Sequence, residues 1–193
     1  MDDADGERQE DDGDGIERGT TGRRGPRETD EQPDEGGASG RIQFVRVLGA
    51  EPVEPVVRRI GDRELYLGNR SAADPAAHGQ RFDHVVSATL SEQPLTTHHC
   101  PMHDGPNTDW NTFAAAVDTV RSCVRREGTT LVHCKAGISR SATLIATTIA
   151  AEEARTFEAS FEIVRRDRAD AISHPALLEH AVCYLAAETD FDS

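Results

Sequence analysis

The sequence predicts an α/β domain built on a central, mainly parallel β-sheet flanked by helices. Short β-branched runs alternate with longer segments in which apolar residues recur at three- and four-residue spacing. Those are the marks of strands and of amphipathic helices. One run, Thr129-Thr130-Leu131-Val132-His133, has the composition of a central strand, and a short glycine-containing loop leads from it into an apolar helix.

Residues 1–40 stand outside that pattern. They hold fourteen acidic and five basic residues, and Ile16 is their lone large aliphatic. Such a segment cannot bury enough apolar area to offset its ordering entropy, so an acidic disordered tail is predicted there and a folded domain over 41–193. Ile42-Gln43-Phe44-Val45-Arg46-Val47 alternates like a half-buried strand. Residues 56–60 and Leu65-Tyr66-Leu67 read as two more, joined by a Gly61-Asp62 turn. Residues 85–90 read as a buried strand, bounded by His84 and a 91–94 loop, and another strand is predicted over 97–102. Trp110, Phe113, Ala114, Val117, Val120 and Val124 then mark a helix with Asp109 as its N-cap. Gly128 closes it ahead of the central strand. Helices are predicted over 141–154, over 157–168 behind a Thr156 cap, and from Pro175 to 187.

The 193 residues suffice for one ordinary domain plus a tail. With 35 acidic against 21 basic residues the net charge is −14, which disfavours non-specific binding to nucleic acid or anionic membranes. Lys135 is the only lysine. An Asp/Glu-rich, Lys-poor surface suits a salty cytoplasm, where self-repulsion is strongly screened, so a salt-adapted protein is expected. Cys100, Cys123, Cys134 and Cys183 form no C-x-x-C pair and read as thiols. Cys123 and Cys183 fall within helices, as core or half-buried residues. No apolar run marks a signal peptide or a membrane span. A cytoplasmic monomer without cofactor or metal is expected.

The chemistry concentrates in Val132-His133-Cys134-Lys135-Ala136-Gly137-Ile138-Ser139-Arg140-Ser141. A strand ends at a cysteine, a short loop follows, and an arginine stands at the start of a helix. The amides of Lys135, Ala136, Gly137, Ile138 and Ser139 can turn inward as a nest, and the helix aims its positive end at the same point. An ordinary thiol is only about 3% ionised at pH 7. Such a cradle lowers the pKa of a cysteine and leaves it as thiolate. Arg140 can hold two phosphoryl oxygens in its planar fork. Ser141 can donate a hydroxyl hydrogen bond to the sulfur, and His133 can orient the cysteine from behind.

These residues resemble the cysteine-based protein tyrosine phosphatase superfamily, whose signature is His-Cys-x5-Arg-Ser/Thr. The run from Ala136 to Ser141 looks like its dual-specificity branch. The resemblance spans about residues 55–187: Leu65-Tyr66-Leu67-Gly68-Asn69 is similar to the family's opening segment. Val164-Arg165-Arg166 and Ile172-Ser173-His174-Pro175 are similar to its closing region. It implies a catalytic domain that hydrolyses phosphomonoesters through a phospho-cysteine intermediate on Cys134. It also implies a loop aspartate about thirty residues before the cysteine as general acid. Asp104 lies at that distance, ahead of Gly105-Pro106; Asp109 is the rival, better read as a helix cap.

His98, His99, Cys100 and His103 suggest a metal cluster, but strand alternation sends neighbours to opposite faces, so no metal is expected on them. Cys100 could pair oxidatively with Cys134. Extra loop lysines accompany inositol-lipid substrates in the family, and here Lys135 stands alone. Phosphorylated proteins bearing phosphotyrosine or phosphoserine/phosphothreonine are therefore the expected substrates. A non-catalytic phosphoprotein-binding module and a nucleotide or RNA 5′-phosphatase are the alternatives.

Overall fold

The computed structural model describes residues 54–191. In chain order it holds β1 (Val57–Arg59), β2 (Leu65–Gly68), a 3-10 turn at Arg70–Ala73, β3 (His84–Ser87), β4 (His98–His99) and α1 (Trp110–Val124). Then come β5 (Thr130–His133), α2 (Arg140–Glu153), α3 (Phe157–Asp167) and α4 (Pro175–Phe191). The acidic tail expected at 1–40 and the strand expected over 42–47 lie outside the described residues.

The strands form one sheet in the order β1-β2-β5-β3-β4. Only β1 runs antiparallel; β2, β5, β3 and β4 are parallel, as the alternating pattern predicts. Strand β5 lies in the middle and all four of its residues are buried. Its register sets His133 between Gly68 on one side and Ser87 on the other. The carboxyl ends of three parallel strands thus meet where β5 ends, the edge at which open α/β sheets bind ligands.

Three strands are shorter than expected, the run 56–60 keeping only Val57–Arg59. The run 85–90 ends its pairing where the Ala88 amide donates the last rung of the β3–β5 ladder to the His133 carbonyl (2.9 Å), and Leu90 beyond it is exposed. The run 97–102 contributes only His98 and His99, an edge strand with one neighbour that Pro101 soon ends.

Helix α2 is the hub of the core. Its residues 140–150 are all buried, and Ala142, Ala146 and Ala150 supply the small side chains a crowded helix needs. Buried Thr143 and Thr147 satisfy their hydroxyls by donating to the carbonyls of Ser139 (2.9 Å) and Thr143 (2.8 Å). Each fully buried Leu or Ile, such as Leu144 or Ile145, stabilises the fold by about 1.5–3 kcal/mol. Helix α3 buries Phe157, Ser160 and Val164, one helical stripe, and starts where Thr156 accepts from the Ala159 amide. Helix α4 buries Leu177, Ala181 and Tyr184. Cys183 lies off that stripe and is exposed, which corrects the expectation that it is core or half-buried. Cys123 is buried in α1, as expected.

Candidate active site

Cys134 follows β5 directly and is 2% exposed. Its sulfur lies 3.3 Å from the Ser141 hydroxyl. Burial alone pushes the thiol up. The Arg140 charge, the Ser141 hydroxyl and the amides of Ser141 and Ile138 together outweigh it, and the net effect is a lowered pKa. Those amides belong to the loop and first turn of α2, so the strand–loop–helix order places the donors on the sulfur.

The loop can take this shape because residue 137 is glycine. Gly137 has φ +65°, and a Cβ there would sit 2.8 Å from the Gly68 carbonyl oxygen. A larger residue would meet both left-handed strain and the neighbouring strand end.

Ser139 occupies the N-cap of α2 but makes no cap hydrogen bond with its side chain. Its hydroxyl donates instead to Asp104 Oδ1 (2.6 Å) and accepts from the His174 amide (3.4 Å). Amides of the first turn are therefore left to an anion rather than satisfied by the cap. The same bond brings Asp104 against the phosphate loop. Asp109 is placed elsewhere: it caps α1, accepting from the Thr112 amide (2.9 Å), and this bond holds its carboxyl below the usual range. Of the two aspartates, only Asp104 touches the cysteine loop.

Arg140 is 7% exposed. Its Nη1 donates to the carbonyls of Ala88 and Met102, both at 3.0 Å, which fixes the guanidinium plane. Its Nε is buried and has no protein partner among the described residues, leaving a donor for an oxyanion.

His133 is wholly buried beneath the loop. Burial pushes its pKa down to about 4, against an opposing pull from the Cys134 main chain and with a smaller downward push from the Arg140 charge. Neither ring nitrogen completes a hydrogen bond of full geometry. The ring is a neutral spacer behind the cysteine. Lys135 is exposed on the rim, and its carbonyl accepts from the Arg70 amide (3.3 Å).

Sequence reasoning missed the residues that brace the loop from outside. Arg168 Nε donates to the Gly137 carbonyl (3.2 Å), and the Ile172 amide donates to the Ile138 carbonyl (3.1 Å). Thr143 and Ser173 share a hydroxyl bond (2.9 Å) that ties α2 to the segment before α4. The resemblance placed residues 172–175 in a shared region but gave them no task.

The four residues suspected of forming a metal cluster point apart. His98 faces Cys123, and His99 bonds the Thr89 carbonyl (3.0 Å). Cys100 interacts with the Thr119 hydroxyl, its thiol pushed up by burial, and His103 is exposed. Cys100 thus turns its thiol toward α1. A cleft of about 470 Å³, lined by Arg63, Leu65, Val124 and Glu152 among others, lies at the opposite ends of the strands and holds no nucleophile.

A thiol of lowered pKa at the floor of an amide loop, with a guanidinium and a carboxyl at its edge, defines a cysteine-based phosphoryl-transfer site on an α/β sheet. Residues 65–183 match the family model described as dual specificity phosphatase, catalytic domain. The chain belongs to that family. Mouse dual specificity protein phosphatase 15 is 39% identical over 88 residues, covering 42% of this chain and 37% of that protein. Drosophila melanogaster dual specificity protein phosphatase MPK-4 is 28% identical over 149 residues, 70% of this chain and 38% of that protein. The chain thus spans well under half the length of these curated relatives. The crystal structure of human DUSP28 shares the fold, with a TM-score of 0.63 at 24% identity, covering 72% of this chain and 99% of that one.

Proposed function

We propose that the protein hydrolyses phosphomonoesters of phosphorylated proteins, accepting phosphotyrosine and phosphoserine/phosphothreonine, through a phospho-cysteine intermediate on Cys134. The observation that carries this reading is the convergence on one sulfur of Ser141, Arg140 and loop amides that lower its pKa.

In the first step Cys134 Sγ, as thiolate, attacks phosphorus in line. The S–P bond forms as the ester P–O bond breaks, and Asp104 gives its proton to the departing oxygen. The loop amides and the Arg140 fork hold the equatorial oxygens, where charge concentrates. In the second step water attacks phosphorus and passes a proton to the Asp104 carboxylate. The S–P bond breaks, inorganic phosphate leaves, and the Ser141 hydroxyl stabilises the returning thiolate. His133 positions Cys134 and takes no proton. These roles need neither metal nor cofactor.

The protein-substrate reading is supported by a loop whose only lysine is Lys135 and by the net charge of −14, which repels nucleic acid. A reducing cytoplasmic location fits the four free thiols. A monomer adapted to salt fits the Asp/Glu-rich, Lys-poor composition. The test is hydrolysis of a small aryl phosphate by the wild type and by Cys134→Ser. Turnover lost by about 10⁴-fold or more with phosphate binding retained is expected. Equal, negligible turnover by both would instead identify a phosphoprotein-binding module. Comparing phosphopeptides with 5′-phosphorylated RNA tests the substrate class, and preference for the RNA would reverse it.

A further inference from the structure

Away from Cys134, three side chains from three elements meet between the β3–β4 edge and the last turn of α1. His84, His98 and Cys123 each offer one ligand atom, and these atoms all lie within 4.8 Å of one another. We infer that they form a binding site for a borderline-soft divalent cation of the zinc type. The ligands are two imidazole nitrogens and one thiolate, with a fourth position open to solvent.

The site is nearly assembled. Cys123 Sγ lies 3.8 Å from Nδ1 and 3.9 Å from Nε2 of His98, and the two imidazole rings meet edge to face with centroids 6.0 Å apart. Nδ1 of His98 is occupied by the Thr97 hydroxyl (2.8 Å), which leaves Nε2 as its ligand atom. A hydrogen bond on the far nitrogen is the arrangement that orients metal-bound histidines. Nε2 of His84 is buried without a hydrogen-bond partner. A buried nitrogen in that state calls for an occupant of its lone pair. Tetrahedral zinc, with bonds of about 2.0–2.1 Å to nitrogen and about 2.3 Å to sulfur, sets its ligand atoms about 3.3–3.6 Å apart. Side-chain rotations of about an ångström close that gap.

Both histidines are partly exposed, so an ion has a way in, whereas Cys123 is buried. On binding, the metal replaces the proton of the Cys123 thiol, which passes to solvent, and no redox change occurs. The Arg126 charge acts on both Cys123 and His98, and its exposed side chain can turn to solvent. A bound ion staples β3, β4 and α1 together. The carbonyls of Ala88 and Met102 that fix Arg140 extend from the first two of these, so the staple braces the side of the active site that carries Asp104.

The test uses the full chain carrying Cys134→Ser, so that metal caught by the catalytic sulfur is not counted. Cobalt(II) is expected to bind one ion per chain with a sulfur-to-cobalt charge-transfer band and tetrahedral ligand-field bands. Zinc should displace it and raise the melting temperature. His84→Gln, His98→Gln and Cys123→Ser should each weaken binding by roughly a hundredfold or more, beyond the effect of losing an outer-sphere partner. Cys100→Ser and His103→Gln should leave it unchanged. Absence of stoichiometric sulfur-ligated cobalt in the Cys134→Ser chain overturns the site, as does undiminished binding after His84→Gln or Cys123→Ser. If a ligand variant fails to fold, the parent's cobalt spectrum and zinc-dependent melting decide the question.

Discussion

The loop from His133 to Ser141 and the loop from Pro101 to Thr108 meet at the Ser139–Asp104 hydrogen bond, and they are held in different ways. The first is pinned along its length by partners from outside it. Gly68 holds the Cys134 amide, Ala88 the His133 carbonyl, Arg70 the Lys135 carbonyl, Arg168 the Gly137 carbonyl and Ile172 the Ile138 carbonyl. The second is closed mainly on itself, by the Thr108 hydroxyl on the His103 carbonyl (2.8 Å) and the Thr108 amide on the Gly105 carbonyl (3.3 Å). Its ends are tied down, Met102 to Arg140 and Thr108 to His180, while His103, Pro106 and Asn107 are exposed. The difference fits the two tasks proposed for them. Stabilising developing charge requires donors that need not reorganise. Carrying a proton first to a leaving oxygen and then from water requires a group whose reach adjusts.

The largest effect is expected at Arg140. Arg140→Lys keeps a positive charge but loses the planar fork and its two carbonyl anchors. Turnover should fall about 10³-fold, or about 4 kcal/mol of transition-state stabilisation, and alkylation of Cys134 should move to higher pH. Turnover within tenfold of wild type would show that charge alone suffices. At the second loop, Asp104→Asn should cost about a hundredfold in turnover and remove one limb of the pH–rate profile. Asp109→Asn should leave turnover nearly intact and lower the melting temperature by a few degrees at most, since its task is to cap α1. The opposite pattern would reassign the acid.

A gentler probe is acid stability. His133 binds its proton near 6.5 when unfolded and near 4 when folded, so between those values the unfolded chain holds more protons. Stability should therefore fall as pH drops from 6.5 to about 4, by about 3 kcal/mol in all. Denaturant melts across that window should show the slope in wild type and a flatter one in His133→Gln. An unchanged slope in the variant would place the acid sensitivity elsewhere.

Much of this site is consecutive in the chain, and that part was legible. A β-branched strand, a cysteine, a glycine that permits positive φ and an arginine opening a helix occupy ten adjacent residues. The backbone preferences of those residues nearly dictate the cradle. The caps Asp109 and Thr156 were legible for the same reason, since a cap and its amide lie three residues apart. Asp104 was reached only through resemblance, because the Ser139 hydroxyl that holds it is 35 residues away.

What the chain alone determined is local: the alternation of strands and helices, the cysteine loop, the caps and the acidic balance. What only the tertiary structure decided depends on which surfaces pack together. It turned Cys183 to solvent, shortened the strand at His98 and His99, set Arg168 and Ile172 behind the phosphate loop, and gathered His84, His98 and Cys123. Short-range geometry is written in neighbouring residues, whereas partners dozens of residues apart are chosen by the packing of the whole core.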